Sequence, residues 1–260
     1  MVPEQRRQQI VTALGTRGMV RADDLANQLG VSLETIRRDL NELERRGELT
    51  RVYGGATRAP KRSESWDRRA GSHVPAKRAI ARYAVRLLQP QRTVFFDAGT
   101  TIYEAAKALP GDWVGSILTG NGHVEQHLSD HPGVRVQLLP GDMRDEELSV
   151  SGPAAERVFD KKSVDVAFVG ADGIHPQAGL TGCHEGEAAV RRLAISKSFE
   201  RYVLADSSKL GRVSQFRVTD LASITAVITD SDVTKDVLDA LVARGLRVHV
   251  APPVSVEQLA

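Results

Sequence analysis

The sequence predicts an α/β protein, with an N-terminal winged helix-turn-helix domain followed by a mainly parallel α/β domain. Three observations carry that prediction. Between Met19 and Gly55, two helix-spaced apolar patterns lie either side of Gly30-Val31-Ser32. From Ala76 onward, helical stretches alternate with short β-branched or aromatic runs, the pattern of a parallel sheet covered by helices on both faces. Charge is also divided: residues 1–69 carry 14 Lys and Arg against 10 Asp and Glu, whereas residues 70–260 carry 21 against 23.

Pro3 to Gly15 reads as a first helix, with Ile10, Val11 and Leu14 inward and Arg6 and Arg7 outward. Leu25, Ala26 and Leu29 mark the second helix, and Leu33, Ile36, Leu40 and Leu43 the third. Ser32 is placed to cap the third, Gly47 stops it, and Glu48 to Gly55 reads as a short strand pair, or wing. At about 100° per residue, Glu34, Arg38, Asn41 and Arg45 point away from the apolar stripe, flanked by Thr35 and Arg37. A protruding helix with adjacent arginines suits a major groove, where guanidinium forks take guanine edges or phosphates. Ser32, Thr35, Arg37, Arg38 and Asn41, with Arg51 and Tyr53 of the wing, are the candidate DNA-binding residues. The domain should span 1–57, followed by a charged, Ser-, Gly- and Pro-rich linker over 58–75.

Residues 76–260 form the second expected domain. Strands are expected at Thr93–Phe96, Gly115–Thr119, Val134–Leu139, Val164–Val169, Tyr202–Ala205, Ile224–Thr229 and Arg247–Val250. Amphipathic helices are expected at 77–88, 101–109, 186–198 and 234–244. In such sheets ligands sit beyond the carboxyl ends of the strands. The first five of these strands are followed, in order, by Asp97-Ala98-Gly99-Thr100-Thr101, Gly120-Asn121-Gly122, Pro140-Gly141-Asp142-Met143-Arg144, Gly170-Ala171-Asp172-Gly173 and Asp206-Ser207-Ser208-Lys209. Gly permits close backbone approach and a helix start offers free N–H groups. Together these turns imply one polar, phosphate-tolerant pocket for a small polyhydroxy ligand. His123, His127 and His131 lie four apart but lack an acidic partner at fixed spacing, so a solvated helix face is expected rather than a metal site. Cys183-His184 lacks an orienting third group for nucleophilic catalysis.

The run VSLETIRRDLNELERRGELTRVYGGA resembles the DNA-binding domain of the DeoR family of bacterial transcriptional regulators, through Thr35 to Leu40 and Gly54 to Ala56. FDAGTT, GDMR, Ser151 to Pro153, VGADG, Gly179 to Thr181, Glu187 to Arg192 and ADSSKLG are similar to that family's effector domain. The resemblance implies a fold like that of sugar-phosphate isomerases and coenzyme A transferases, and a phosphorylated sugar as effector. Carried onto matching positions, it implies that Asp97, Gly99, Thr100, Thr101, Asp172, Glu187 and Lys209 line the site, joined by Asn121 and Arg144 from the strand ends. Three positions depart from the family pattern. Gly120 intervenes before Asn121, His175 stands where the family has Asp, and Arg191 where it has Lys. A planar fork for a point charge alters what can be bound.

Hydrophobic content of 41% and charged content of 26% are those of a soluble globular chain. No apolar run is long enough to span a bilayer, and a single cysteine excludes an internal disulfide, so a cytoplasmic protein is expected. The expected function is a homo-oligomeric (dimeric or tetrameric) regulator, a repressor of a carbohydrate operon, released from operator double-stranded DNA by a phosphorylated sugar. No cofactor, metal or catalytic residue is expected. The alternative is a sugar-phosphate isomerase-like enzyme with an appended DNA-binding domain, using Asp172 and Glu187 as acid and base. Against it, the resemblance to isomerases calls for a further Asp and a nearby Lys, yet His175 replaces the first and no Lys occurs between Lys162 and Lys197.

Overall fold

A computed structural model describes residues 2–46, 48–52, 54–58 and 65–253. The chain divides into two compact units, Met1–Ser63 and Glu64–Ala260.

In the first unit, α1 (Pro3–Arg17) leads through β1 (Met19–Arg21) to α2 (Ala22–Leu29) and α3 (Leu33–Arg45). Gly30 ends α2 in the left-handed conformation, with φ at 63°, a geometry that glycine adopts without a Cβ penalty. Ser32 then caps α3 by accepting the Thr35 N–H at 3.2 Å. The wing is a hairpin of β2 (Leu49–Val52) and β3 (Gly55–Arg58), and β1 adds a third strand beside β3. Ile10, Leu14, Leu25, Ile36, Leu40, Leu43 and Leu49 fill the core. One expectation fails here. Arg6 points inward, buried, with Nε on the carboxylate of buried Asp39 of α3. The cause is helical spacing, because Arg6 lies one turn before Ile10 and two before Leu14 on the same face.

The second unit begins with α4 (Trp66–Gly71) and α5 (Val74–Val85). Residues 66–71 and 74–75, expected within a linker, are therefore helical. Burial of Trp66, which stacks on His123 with ring centroids 4.1 Å apart, fixes α4 in place. Then follow β4 (Thr93–Phe96), α6 (Thr100–Lys107), β5 (Gly115–Thr119), α7 (Gly122–Leu128) and β6 (Val134–Leu138). A hairpin of β7 (Asp142–Arg144) and β8 (Ser149–Ser151) leads to α8 (Pro153–Lys161) and β9 (Val164–Val169). After it come β10 (Gly173–His175), β11 (Gly179–Gly182), α9 (Glu185–Ser196), β12 (Ser198–Leu204), β13 (Phe216–Thr219), β14 (Ala226–Thr229), α10 (Lys235–Val242) and β15 (Val248–Val250).

The main sheet has the order β15-β14-β12-β9-β4-β5-β6, and every neighbouring pair is parallel. Alternation along the strands divides the core. Val94 and Phe96 of β4 pack with Ile80, Ile102 and Val124 from α5, α6 and α7. Phe95 faces the other way, with Phe159, Ala188 and Leu241 from α8, α9 and α10. Fully buried parallel strands need such a cover on both faces. Winding runs outward from the centre in both directions, so the order reverses between β4 and β9. A crevice opens at the carboxyl ends of strands at such a switch point. β10, β11 and β13 form a small separate antiparallel sheet.

Candidate functional site

Helix α3 presents the candidate DNA-reading face. Arg37 and Arg38 are exposed, and Arg38 has only a loose contact with Glu34, at 3.5 Å between exposed side chains. Thr35 is half-buried and its hydroxyl lies 2.8 Å from that of Ser32, so both residues also serve the cap. Asn41 and Arg51 are not independent groups: Arg51 Nη1 donates to Asn41 Oδ1, and the Arg51 backbone N–H donates to Glu44. These bonds tie the wing to the helix, so the two residues position the reading head. Tyr53 lies outside the described residues.

At the switch point of the second unit, Asp97 follows β4 and Gly170 follows β9. Asp97 is buried and serves as a brace. Its Oδ2 accepts the Gly170 N–H at 2.9 Å and the Arg191 Nε–H, while Oδ1 accepts the Ala98 N–H at 2.8 Å. Gly99 caps α6 at φ 131°, with open space where a side chain would stand, and Thr100 and Thr101 open the helix. Asn121 is buried, and its Oδ1 caps α7 through the N–H groups of His123 (2.8 Å) and Val124 (3.3 Å).

The β7–β8 hairpin docks on the loop after β5: Gly122 N–H donates to Leu148 O at 2.8 Å, and Val150 N–H to Gly120 O at 2.7 Å. That docking brings Arg144 Nη2 and Ser149 Oγ onto Glu187 Oε1 of α9, the latter at 2.7 Å. On the other side, Asp172 Oδ2 accepts the Cys183 N–H at 3.0 Å. Lys209 ends a 3₁₀ turn after β12, held by Asp206 and by two bonds from Ser207 to Asp230.

Asp97, Asp172 and Glu187 thus gather around Arg191, a residue that the sequence marked only as a departure, and Arg144 joins them through Glu187. Arg191 lies one turn after Glu187 on α9, and that spacing was the available signal. Burial works against the charge of Arg191, but Asp97, Asp172 and Glu187 outweigh it and raise its pKa. Burial likewise pushes the carboxyls of Asp172 and Glu187 up, yet Arg191 and their hydrogen-bond donors hold both below the ordinary carboxylate value. Lys77 was also missed. It is buried, donates to the carbonyls of Arg69 and Ser72, and is pushed down to about 8 by burial, with Asp206 opposing and Lys209 and Arg69 adding to the effect.

The histidine row is not a plain solvated face. His123 stacks on Trp66, and His127 meets the edge of Tyr103. Among the described residues no three His, Cys, Asp or Glu are placed to hold a metal ion. Burial and neighbouring Asp172 push the Cys183 thiol up to about 12, so a thiolate is disfavoured. Six buried side-chain polar atoms lack a partner among the described residues, and three belong to this rim: Asn121 Nδ2, His184 Nε2 and Arg191 Nη1. Buried donors are rarely left unmet in the absence of a missing partner.

Comparison with known proteins agrees with this division of the chain. Residues 6–62 match the model of the DeoR-like helix-turn-helix domain, and residues 72–231 that of the DeoR C terminal sensor domain. The chain is 34% identical over 252 residues to the HTH-type transcriptional regulator GlpR of Haloferax volcanii, covering 95% of this chain and 98% of that one. It is 32% identical over 248 residues to a putative aga operon transcriptional repressor of Escherichia coli O157:H7, covering 94% and 92%. It is 31% identical over 235 residues to a lactose phosphotransferase system repressor of Streptococcus mutans, covering 88% and 93%. A ribose 5-phosphate isomerase A structure from Methanocaldococcus jannaschii aligns at 18% identity over 51% of this chain and 52% of its own, with a TM-score of 0.38, too loose to bear on function. Among the described residues no helix is long and apolar enough to cross a membrane.

Proposed function

Since this chain belongs to the DeoR family of DNA-binding transcriptional regulators, we propose that it represses a carbohydrate operon and leaves its operator when a phosphorylated sugar binds the second unit. Two copies of the chain would present two α3 helices to successive major grooves, about 34–36 Å apart. The effector would lie over the switch point, its phosphate toward Lys209 and the open start of α6, its sugar toward Asp172, Glu187 and Arg191. The observation that carries this reading is the cluster of unmet buried polar atoms at the switch point. The cytoplasm, where operator DNA is found, is the proposed location.

An isomerase reading fits the geometry less well. A general base works best with a pKa near the operating pH, whereas Asp172 and Glu187 are held below the ordinary carboxylate value.

The test uses purified full chain and a duplex selected by the protein from a random pool. Gel shifts with ribose, fructose and tagatose phosphates should reveal at least one compound that releases the DNA. Full release, from 1:99 to 99:1, needs a preference of about 5.5 kcal/mol for the released form. Lys209→Ala and Thr100→Ala should bind the duplex normally but need far more of that compound. Normal release in both variants would move the effector site elsewhere.

A further inference from the structure

We propose that Glu147 and Arg69 are positioning residues that carry the state of the effector site to α4, the element by which the chain enters the second unit, so that a ligand engaging Glu187 loosens the hold on α4. This rests on the effector site proposed above and adds the route by which it acts.

Four charged side chains form a row of alternating sign. Glu187 Oε1, on α9, accepts from Arg144 Nη2, and Arg144 Nη1 lies 3.8 Å from Glu147 Oε1. The other oxygen of Glu147 accepts from Arg69 Nη2, on α4. Glu147 thus turns one oxygen to each guanidinium, and it is buried. The turn that carries it is held in one shape. Leu148, the next residue, stands at φ 47°, and its carbonyl accepts the Gly122 N–H at 2.8 Å. A non-glycine residue keeps such a conformation only where its surroundings impose it.

Two further ties fix α4. Buried Lys77 donates to the carbonyls of Arg69 and Ser72 at its C-terminal end, and Asp206 and Lys209 act on that ammonium. At its start, Trp66 stacks on His123, whose N–H donates to Asn121. The three ties therefore lead to Glu187 with Arg144, to Lys209 and to Asn121, all assigned above to the effector site. Only residues 59–65 separate α4 from β3, the last strand of the wing.

Competition for one carboxylate gives the row two arrangements. Glu187 Oε1 already accepts from Arg144 and Ser149, so a sugar hydroxyl donating to Glu187 competes with Arg144. Arg144 is the most exposed member of the row, and Glu147 is its second carboxylate. Turning toward Glu147, Arg144 competes with Arg69 there and weakens the tie to α4. Salt-bridge networks with two discrete arrangements carry coupling between sites, and a ligand shifts them by its preference for one arrangement.

The experiment titrates ribose 5-phosphate, fructose 6-phosphate and tagatose 6-phosphate into the full chain. Binding is read by calorimetry, and release by gel shift on the selected duplex. The chain has two tryptophans, so Trp113→Phe leaves Trp66 as the sole fluorescent reporter of α4. A probe that binds should change the Trp66 emission. Arg69→Gln should bind that probe with wild-type affinity yet need about tenfold more of it to leave the duplex. Glu147→Gln, which cuts the row on its other side, should show the same split. Release at the wild-type concentration, or binding and release lost together in a folded variant, would overturn the inference and leave the effector site standing. Trp66 emission indifferent to a bound probe would do the same, and that reading holds even if neither charge variant folds. Absence of binding by every probe would overturn both.

Discussion

Replacing Arg38 by Ala isolates the reading function of α3. In the folded chain its side chain is 80% exposed and, among the described residues, pairs only with Glu34, itself 61% exposed, at 3.5 Å. Exposed pairs one turn apart contribute about 0.3–0.5 kcal/mol, and Ala is at least as good a helix former as Arg. Folding stability should therefore change by no more than about 0.5 kcal/mol. A bidentate arginine contact to a base is worth about 1–3 kcal/mol, which converts to a loss of roughly fivefold to 150-fold in Kd. Fluorescence anisotropy on the selected duplex, over a salt series, would measure that loss and its origin. A base contact concentrates the loss at one base pair. A phosphate contact lowers affinity for every duplex and reduces the salt slope by about 1. Wild-type affinity in the variant, with unchanged circular dichroism, would refute the assignment of this face to DNA.

Arg6→Met should destabilise the first unit by about 3 kcal/mol, because it strips a buried carboxylate of its partner; Arg7, 3.6 Å from Asp39, is the residual cation. A urea midpoint for operator binding equal to wild type would contradict that pairing. Acid should weaken the second unit through Asp172 and Glu187. Their folded pKa values are lowered, so their stabilisation is present above the unfolded values, near 4, and is lost as pH falls through the folded ones. Asp172→Asn should flatten the fall in Tm below about pH 4, and parallel curves for variant and wild type would exclude the effect. Cys183, with its thiol near 12, should react with iodoacetamide at pH 8 orders of magnitude more slowly than a free thiol with a pKa of about 8.5. Alkylation at the free-thiol rate would disprove that burial.

What the sequence revealed was what local period encodes. The stripe Ile36, Leu40 and Leu43 and the runs TVFF, GSILT and VDVAFV form the elements they predict, because spacing alone decides which face is apolar. The same period contained a signal that hydropathy hides. Arg6 shares a face with Ile10 and Leu14, and Asp39 falls between Ile36, Leu40 and Leu43, so a charge on each apolar stripe marked a cross-helix pair. Trp66 was concealed by the charged residues around it. Arg191 was harder to place, since its brace, Asp97, lies 94 residues away. No pattern within a single helix can report a partner fixed by sheet order.

That distant brace also suits a crevice rich in carboxylates to the sensing role proposed above. Proton transfer needs a group that changes charge during each turnover. Here Asp97, Asp172 and Glu187 share one buried guanidinium, and Glu187 has a second in Arg144. Protonating Asp172 or Glu187 would forfeit these contacts, which is why both carboxyls are held below the ordinary carboxylate value. A set of acceptors and an unmet donor such as Arg191 Nη1 can distinguish ligands by the position of their oxygens. Any ligand that fills that donor better in one conformation than in the other shifts the population by that difference alone. Selectivity and release would then arise from the same few hydrogen bonds. Removing Arg191 should accordingly weaken the response to the effector proposed above.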